Sequence, residues 1–186
     1  LMIVSGFLFL LINLNLKDFY QIINQEGYAS AIGVVILVSL GKLFSVSMGC
    51  LNNIISNSKY YSYVFWFSIS SAIMAVILNY IFIQSHGIIG AAFATVLVIL
   101  FINLCKILLI QFLFKIHPYS TKTLGVVLSM GLIYAVIDEI PTVVNPWLSI
   151  PLRSVLILGL FSIPLFTFRW SSDIESLIQD FRKRLF

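Results

Sequence analysis

Charge is what this sequence has least of: 10% of its 186 residues are Asp, Glu, Lys or Arg, while 60% are hydrophobic. Soluble domains carry about 25% charged residues, so this composition excludes one. Acidic side chains are the scarcest, seven in all, and none falls within 29–51, 61–83, 87–114 or 148–168. A membrane-buried carboxylate relay for proton or sodium coupling is therefore not expected in those segments, and a coupling carboxylate would lie upstream. The two histidines, His86 and His117, are isolated, with no Cys–His, Ser–His–Asp or metal-ligand spacing near them. This predicts neither an enzyme nor a metal or cofactor site. Cys50 and Cys105 fall near the ends of apolar runs, where a thiol acts as a small hydrophobe and not as half of a disulfide. Strand-length alternation is missing too, which excludes a membrane β-barrel. The first residues lack the basic stretch and cleavage site of a signal peptide. Leu1 to Leu16 thus reads as the end of a helix that begins upstream, and the chain as a fragment.

What is present is long apolar runs, with a mean hydropathy of +1.06. They divide into six segments: Leu1–Leu16, Ala29–Leu51, Tyr61–Ile83, Gly87–Phe114, Thr123–Ile140 and Leu148–Phe168. The last five are each near the roughly 20 residues that cross a hydrocarbon core, and lipid demands that their backbones be satisfied as helices. The fold class predicted is an all-α integral membrane bundle. Alternate loops collect Lys59, Lys115, Lys122, Arg169, Arg182, Lys183 and Arg184 on one side. Lys17 and Arg153 fall on the other, with Asp18, Glu26, Asp138 and Glu139. The positive-inside rule makes the first side cytoplasmic, together with the C-terminus. Tyr60, Tyr61, Tyr63, Trp66, Trp147 and Trp170 lie at segment ends as interface anchors. The net charge of +4 follows from this topology and does not point to nucleic acid.

One stretch carries more than hydropathy. Leu78-Asn79-Tyr80 ends one apolar run, and after a short turn Gly87-Ile88-Ile89-Gly90-Ala91-Ala92-Phe93-Ala94-Thr95 opens the next with small residues. This predicts a transmembrane hairpin with close helix packing. Gly87, Gly90, Ala91 and Ala94 supply small-xxx-small spacing. With the preceding turn Asn53-Ile54-Ile55-Ser56-Asn57-Ser58-Lys59, it resembles the pattern of polysaccharide (O-antigen type) flippases in the multidrug/oligosaccharidyl-lipid/polysaccharide exporter superfamily. The resemblance covers roughly 29–115. It implies the C-terminal bundle of a transporter of twelve to fourteen spans, paired with a repeat-related N-terminal bundle. Such a transporter moves a polyprenyl-diphosphate-linked oligosaccharide across the plasma (inner) membrane by alternating access, for O-antigen and lipopolysaccharide-type surface glycans. A small-molecule exporter of the same superfamily is the alternative.

Helical period then nominates residues. Lys42, Ser45, Gly49, Asn52, Asn53 and Ser56 share a face of the second segment if it is one helix. Ala91, Thr95, Asn103 and Lys106 fall near a stripe of the fourth, and Ser68, Ser71, Ala75 and Asn79 on the third. Converging, these stripes would line a hydrated cationic cavity. Lys42 and Lys106 would attract a diphosphate, and Asn52, Asn53, Thr95 and Asn103 would offer hydrogen bonds. For both lysines the other reading is snorkelling to the interface. Asn79 would make an interhelical contact or meet a sugar. Asp138 and Glu139 would meet Arg153 in an outer salt bridge. Residues 169–186 form a cytoplasmic amphipathic helix, with a capping box at Ser172 and Glu175.

Overall fold

The computed structural model describes residues 1–23, 31–49, 51–115, 119, 121–140 and 145–167, the side chains of Asn52, Phe166 and Thr167 excepted. Glu26, Cys50, His117, Trp170 and the predicted amphipathic tail lie outside the described residues. All regular structure among them is helical: α1 Met2–Ile23, α2 Ile32–Ser47, α3 Leu51–Ser56, α4 Ser62–Phe114, α5 Thr121–Asp138 and α6 Pro146–Thr167. Helices α1, α4, α5 and α6 are long and apolar enough to cross a membrane, whereas α2 has 16 residues.

The longest element holds the predicted hairpin. A straight helix of 53 residues would be about 80 Å long. Yet the Tyr60 ring meets Phe114 edge-on at 6.1 Å, and Phe82 meets Phe93 at 5.3 Å. The chain therefore doubles back, at Gly87, whose φ of 56° and ψ of −135° are non-helical and suit a residue without Cβ. Gly90 seals the bend, because a Cβ there would collide with the Phe82 carbonyl. Each arm, 62–86 and 88–114, exceeds the length of one crossing. The reversal sits at Gly87 itself, since helix continues through the stretch between Ile83 and Gly87 that reads as a turn.

Two boundaries depart from the sequence reading. The second apolar segment is not one helix to Leu51: α2 stops at Ser47, Gly49 takes a left-handed φ of 61°, and its N–H reaches the Val46 carbonyl at 3.0 Å. Glycine ends helices this way because it adopts that conformation without Cβ strain. The first segment does not end at Leu16. Helix α1 continues through Lys17 and Asp18 to Ile23, 22 residues in all, long enough for a full crossing. Hydropathy stops at a charge, but a helix does not when neighbours neutralise it.

Helix α1 is the hub, packing on α2, α5 and α6, while α2 and α3 pack on α4. Hydrogen bonds and close contacts give the directions. Asn13 meets Ser39 while Leu1 lies against Gly49, so α1 and α2 are antiparallel. Gly6 faces Met130 and Lys17 faces Asp138, so α1 and α5 are parallel. Phe7 meets Phe161 and Asn15 meets Ser154, so α6 runs back along α1. A Cβ on Gly41 would lie 3.4 Å from Val96, and Ile55 clusters with Ile110, so α2 and α3 follow the second arm of α4 in the same direction. Lys59, Lys115 and Lys122 thus gather at one end of the bundle, and Lys17, Asp138 and Glu139 at the other. One core cluster unites Leu10, Leu14, Met130, Ile137, Ile157 and Phe161 across α1, α5 and α6. A second joins Met48, Leu51, Ile55 and Ile110 where α3 meets α4.

Candidate functional site

Lys42 is exposed on α2 and borders an apolar groove of about 470 Å³ between α1 and α2, whose walls include Leu8, Ile12, Val38 and Val46 with Ser5 and Ser39. Because α2 ends at Ser47, Lys42 stands five residues, about 8 Å, from the helix end. A second groove, about 480 Å³, opens between α1, α2, α4 and α5 against Gly41, Val96 and Val127. At its rim the Ser47 and Tyr119 hydroxyls share a hydrogen bond of 3.1 Å.

The other nominated residues do not join Lys42 there. Asn53 and Thr95 are exposed, Lys106 is partly buried and Asn103 is buried; the Asn52 side chain lies outside the description. No hydrogen bond or ion pair links any two of Lys42, Asn53, Thr95, Asn103 and Lys106. The stripe running from Lys42 to Ser56 is broken at Gly49, where helical period stops applying. The stripe on the second arm of α4 splits, with Thr95 turned out and its hydroxyl donating to the Ala91 carbonyl at 2.9 Å. On the first arm Ser68, Ser71 and Asn79 donate to the carbonyls of Val64, Ser68 and Ala75 on their own helix. The Asn79 amide thus donates within its own helix and makes no interhelical bond among the described residues. Gly90 is buried against the Phe82 carbonyl across the bend, with Ala92 and Ala94 buried beside it and Ala91 partly so, whereas Gly87 serves the bend.

The densest polar chemistry lies elsewhere, between α1 and α6. Asp18 is 0% exposed, Ser149 1% and Arg153 5%. The Ser149 hydroxyl donates to Asp18 Oδ2 at 2.6 Å. Arg153 Nη1 stands 3.7 Å from the same oxygen, too far for a hydrogen bond, and spends its donors on the Leu14 carbonyl at 3.0 Å and the Ile140 carbonyl at 2.7 Å. One turn back along α1, Asn15 donates to Leu11 O and to Ser154 Oγ. Two buried acceptors, Asn15 Oδ1 and Asp18 Oδ1, have no donor among the described residues. Asn13 and Ser39 extend the polar contact to α2.

This arrangement corrects the expected salt bridge. Arg153 pairs with Asp18, and Asp138 instead meets Lys17 at 3.1 Å with both side chains about half exposed. Glu139 is exposed. Sequence reading placed Asp18 in a loop because it follows Lys17 at the end of an apolar run. The signal that could have found it is spacing: Asn15 and Asp18 sit three apart on one helical face, and Ser149 and Arg153 four apart on another. Comparison with family models, curated proteins and solved structures finds no match for this chain.

Proposed function

We propose that this chain is the membrane-embedded helical bundle of a transporter that flips a polyprenyl-diphosphate-linked oligosaccharide between leaflets, working with a second, repeat-related bundle by alternating access. The observation that carries the reading is Lys42, a cation on the edge of an otherwise apolar groove between α1 and α2. An amphiphile with a hydrocarbon chain and an anionic headgroup matches both halves of that surface: chain to groove, diphosphate to ammonium. The motif resemblance around the Gly87 bend supports the same reading. The lysine-bearing end would face the cytoplasm, where lipid-linked precursors are loaded, and the membrane would be the plasma membrane. Asn53, Thr95, Asn103 and Lys106 are assigned to headgroup or sugar contacts made when the partner bundle closes over this one.

The test uses the full-length transporter in vesicles carrying lipid-linked oligosaccharide and a probe restricted to the outer leaflet. Native protein is expected to expose substrate to the probe. Lys42→Ala should lower that signal at equal membrane abundance, and Lys42→Arg should keep most of it. No signal from native protein refutes the flippase reading. A full signal from Lys42→Ala leaves the function standing and returns Lys42 to snorkelling.

A further inference from the structure

We propose that the groove between α2 and α5 is a site for an anionic glycerophospholipid of the membrane, with one acyl chain in the groove and the phosphate at Lys115 and Lys122. The site is separate from the Lys42 groove and goes beyond the transport reading. Helix packing leaves the space. Helix α5 rests on α1 and α6, while α2 and α3 rest on α4, and a seam of about 480 Å³ stays open between the two sets. Its walls are Met2 of α1, Leu40 and Phe44 of α2, Leu100 of α4, and Leu124 and Val127 of α5. Leu40 is 49% exposed and Leu124 60%, so the seam opens sideways, where a membrane supplies hydrocarbon and not water. Along α2 it runs from Leu40 to Ser47, seven residues or about 10 Å. That is less than half of the roughly 30 Å hydrocarbon core, so the seam fits one leaflet, as an acyl chain does.

The mouth of the seam decides which lipid. Ser47 Oγ donates to the Phe44 carbonyl at 2.7 Å, which makes Tyr119 the donor in the 3.1 Å bond between their hydroxyls. That bond ties the chain just before α5 to the end of α2 and spends both hydroxyl protons, so the headgroup must be held by charge. Charge at this end has one sign among the described residues. Lys115 comes four residues before Tyr119 and Lys122 three after it, both exposed, and Lys59 lies at the same end. The described acids, Asp18, Asp138 and Glu139, are at the other end. A zwitterionic headgroup brings its own cation to these lysines and gains little, whereas an anionic one is attracted by each of them. A second copy of this chain inserted in the same orientation would bring lysines against lysines. A phospholipid in the seam joins α5 to α2 and α4 where the helices themselves leave a gap.

Native mass spectrometry of the full-length protein, supplied with equal amounts of phosphatidylglycerol and phosphatidylcholine of identical chains, tests the site without reference to transport. Native protein is expected to retain phosphatidylglycerol in preference. The double variant Lys115→Ala with Lys122→Ala should lose that preference, at about five-fold per lysine. Lys59→Ala, in the turn between α3 and α4, should keep it. Leu124→Trp fills the seam with both lysines in place and should abolish retention. Leu124 is exposed, so the larger ring displaces lipid and not protein, and Val127→Trp serves if that variant fails to accumulate. Three results overturn the proposal: equal retention of the two lipids by native protein, a loss from Lys59→Ala as large as that from the lysine pair, or unchanged retention in the tryptophan variant. Polyprenyl diphosphate added in excess should leave phosphatidylglycerol in place; its displacement overturns the phospholipid assignment and gives the seam to the transported lipid. Retained phosphatidylglycerol with no flipping in the vesicle assay refutes the flippase reading and leaves the phospholipid site standing.

Discussion

The α1–α6 contact and the first arm of α4 are opposites. Between α1 and α6 lie an aspartate, an arginine, an asparagine and a serine, all buried. The stretch 62–86 has no buried residue; Ile73, Val76, Ile77, Tyr80 and Ile81 all face outward, and Ser68, Ser71, Ser85 and Asn79 bond back to their own helix. In water this distribution would be inverted. In lipid it is the low-energy one, because hydrocarbon accepts apolar side chains without cost and penalises any polar group not satisfied by protein. The α1–α6 seam thus adds polar contacts to the apolar cluster that joins α1, α5 and α6, while the first arm of α4 turns its apolar side chains outward.

Breaking the polar contact should have the largest effect. Arg153→Ala leaves Asp18 buried without its counter-charge, and removing one partner of such a pair typically destabilises by about 3–5 kcal/mol. The denaturant midpoint of the purified protein in mixed micelles should fall accordingly. Replacing both partners, as Asp18→Asn with Arg153→Met, should recover much of the loss, since the cost is that of a stranded charge. If the single and double variants unfold alike, the pair is not what joins α1 to α6.

The converse experiment puts charge on the bare arm. Val76→Arg places a cation at the middle of 62–86, on a face with 72% exposure at that position. Membrane insertion should worsen by about 2.5–3.5 kcal/mol, read as the fraction of arm glycosylated on either side in a translocon assay. By contrast Val76→Leu should change stability by less than about 0.5 kcal/mol. A large loss from that conservative exchange would show that protein, and not lipid, covers the arm.

The bend between the arms is intermediate. Gly90→Ala drives a Cβ into the Phe82 carbonyl, a backbone atom that cannot rotate away, and should cost about 1–3 kcal/mol. Gly6→Ala meets only the thioether of Met130, 2.5 Å away but at the end of a flexible side chain, and should cost less. Thermal unfolding of the two variants in detergent checks the order; equal losses would mean that α1–α5 packing is as rigid as the bend.

The same contrast explains what the sequence disclosed. The bare arm and the bend were legible, because apolar length and the Gly87 to Ala94 spacing are local signals. The membrane class, the hairpin and the opposite gathering of charges all came from such patterns. The polar contact was not legible, because Asp18 and Arg153 are separated by most of the chain and each looks like a loop charge beside an apolar run. Gly49 misled for a related reason: within a run of small and apolar residues nothing local distinguishes a glycine that ends a helix from one that packs inside it. The cavity expected from three polar stripes depended on unbroken helical period through that glycine.

The smallest effect should come from the other ion pair between α1 and a neighbour. Lys17 and Asp138 meet at 3.1 Å, closer than Arg153 and Asp18, but with side chains 59% and 47% exposed. Water competes for both charges, so a double-mutant cycle of Lys17→Ala and Asp138→Ala should give a coupling of about 0.2–1 kcal/mol, shrinking in high salt. The same cycle on Asp18 and Arg153 should be several times larger and indifferent to salt, despite the longer distance. If the two couplings are alike, Asp18 is reached by water in solution. The donor missing at its Oδ1 is then supplied by that water, and the contact is a hydrated ion pair like that of Lys17 and Asp138.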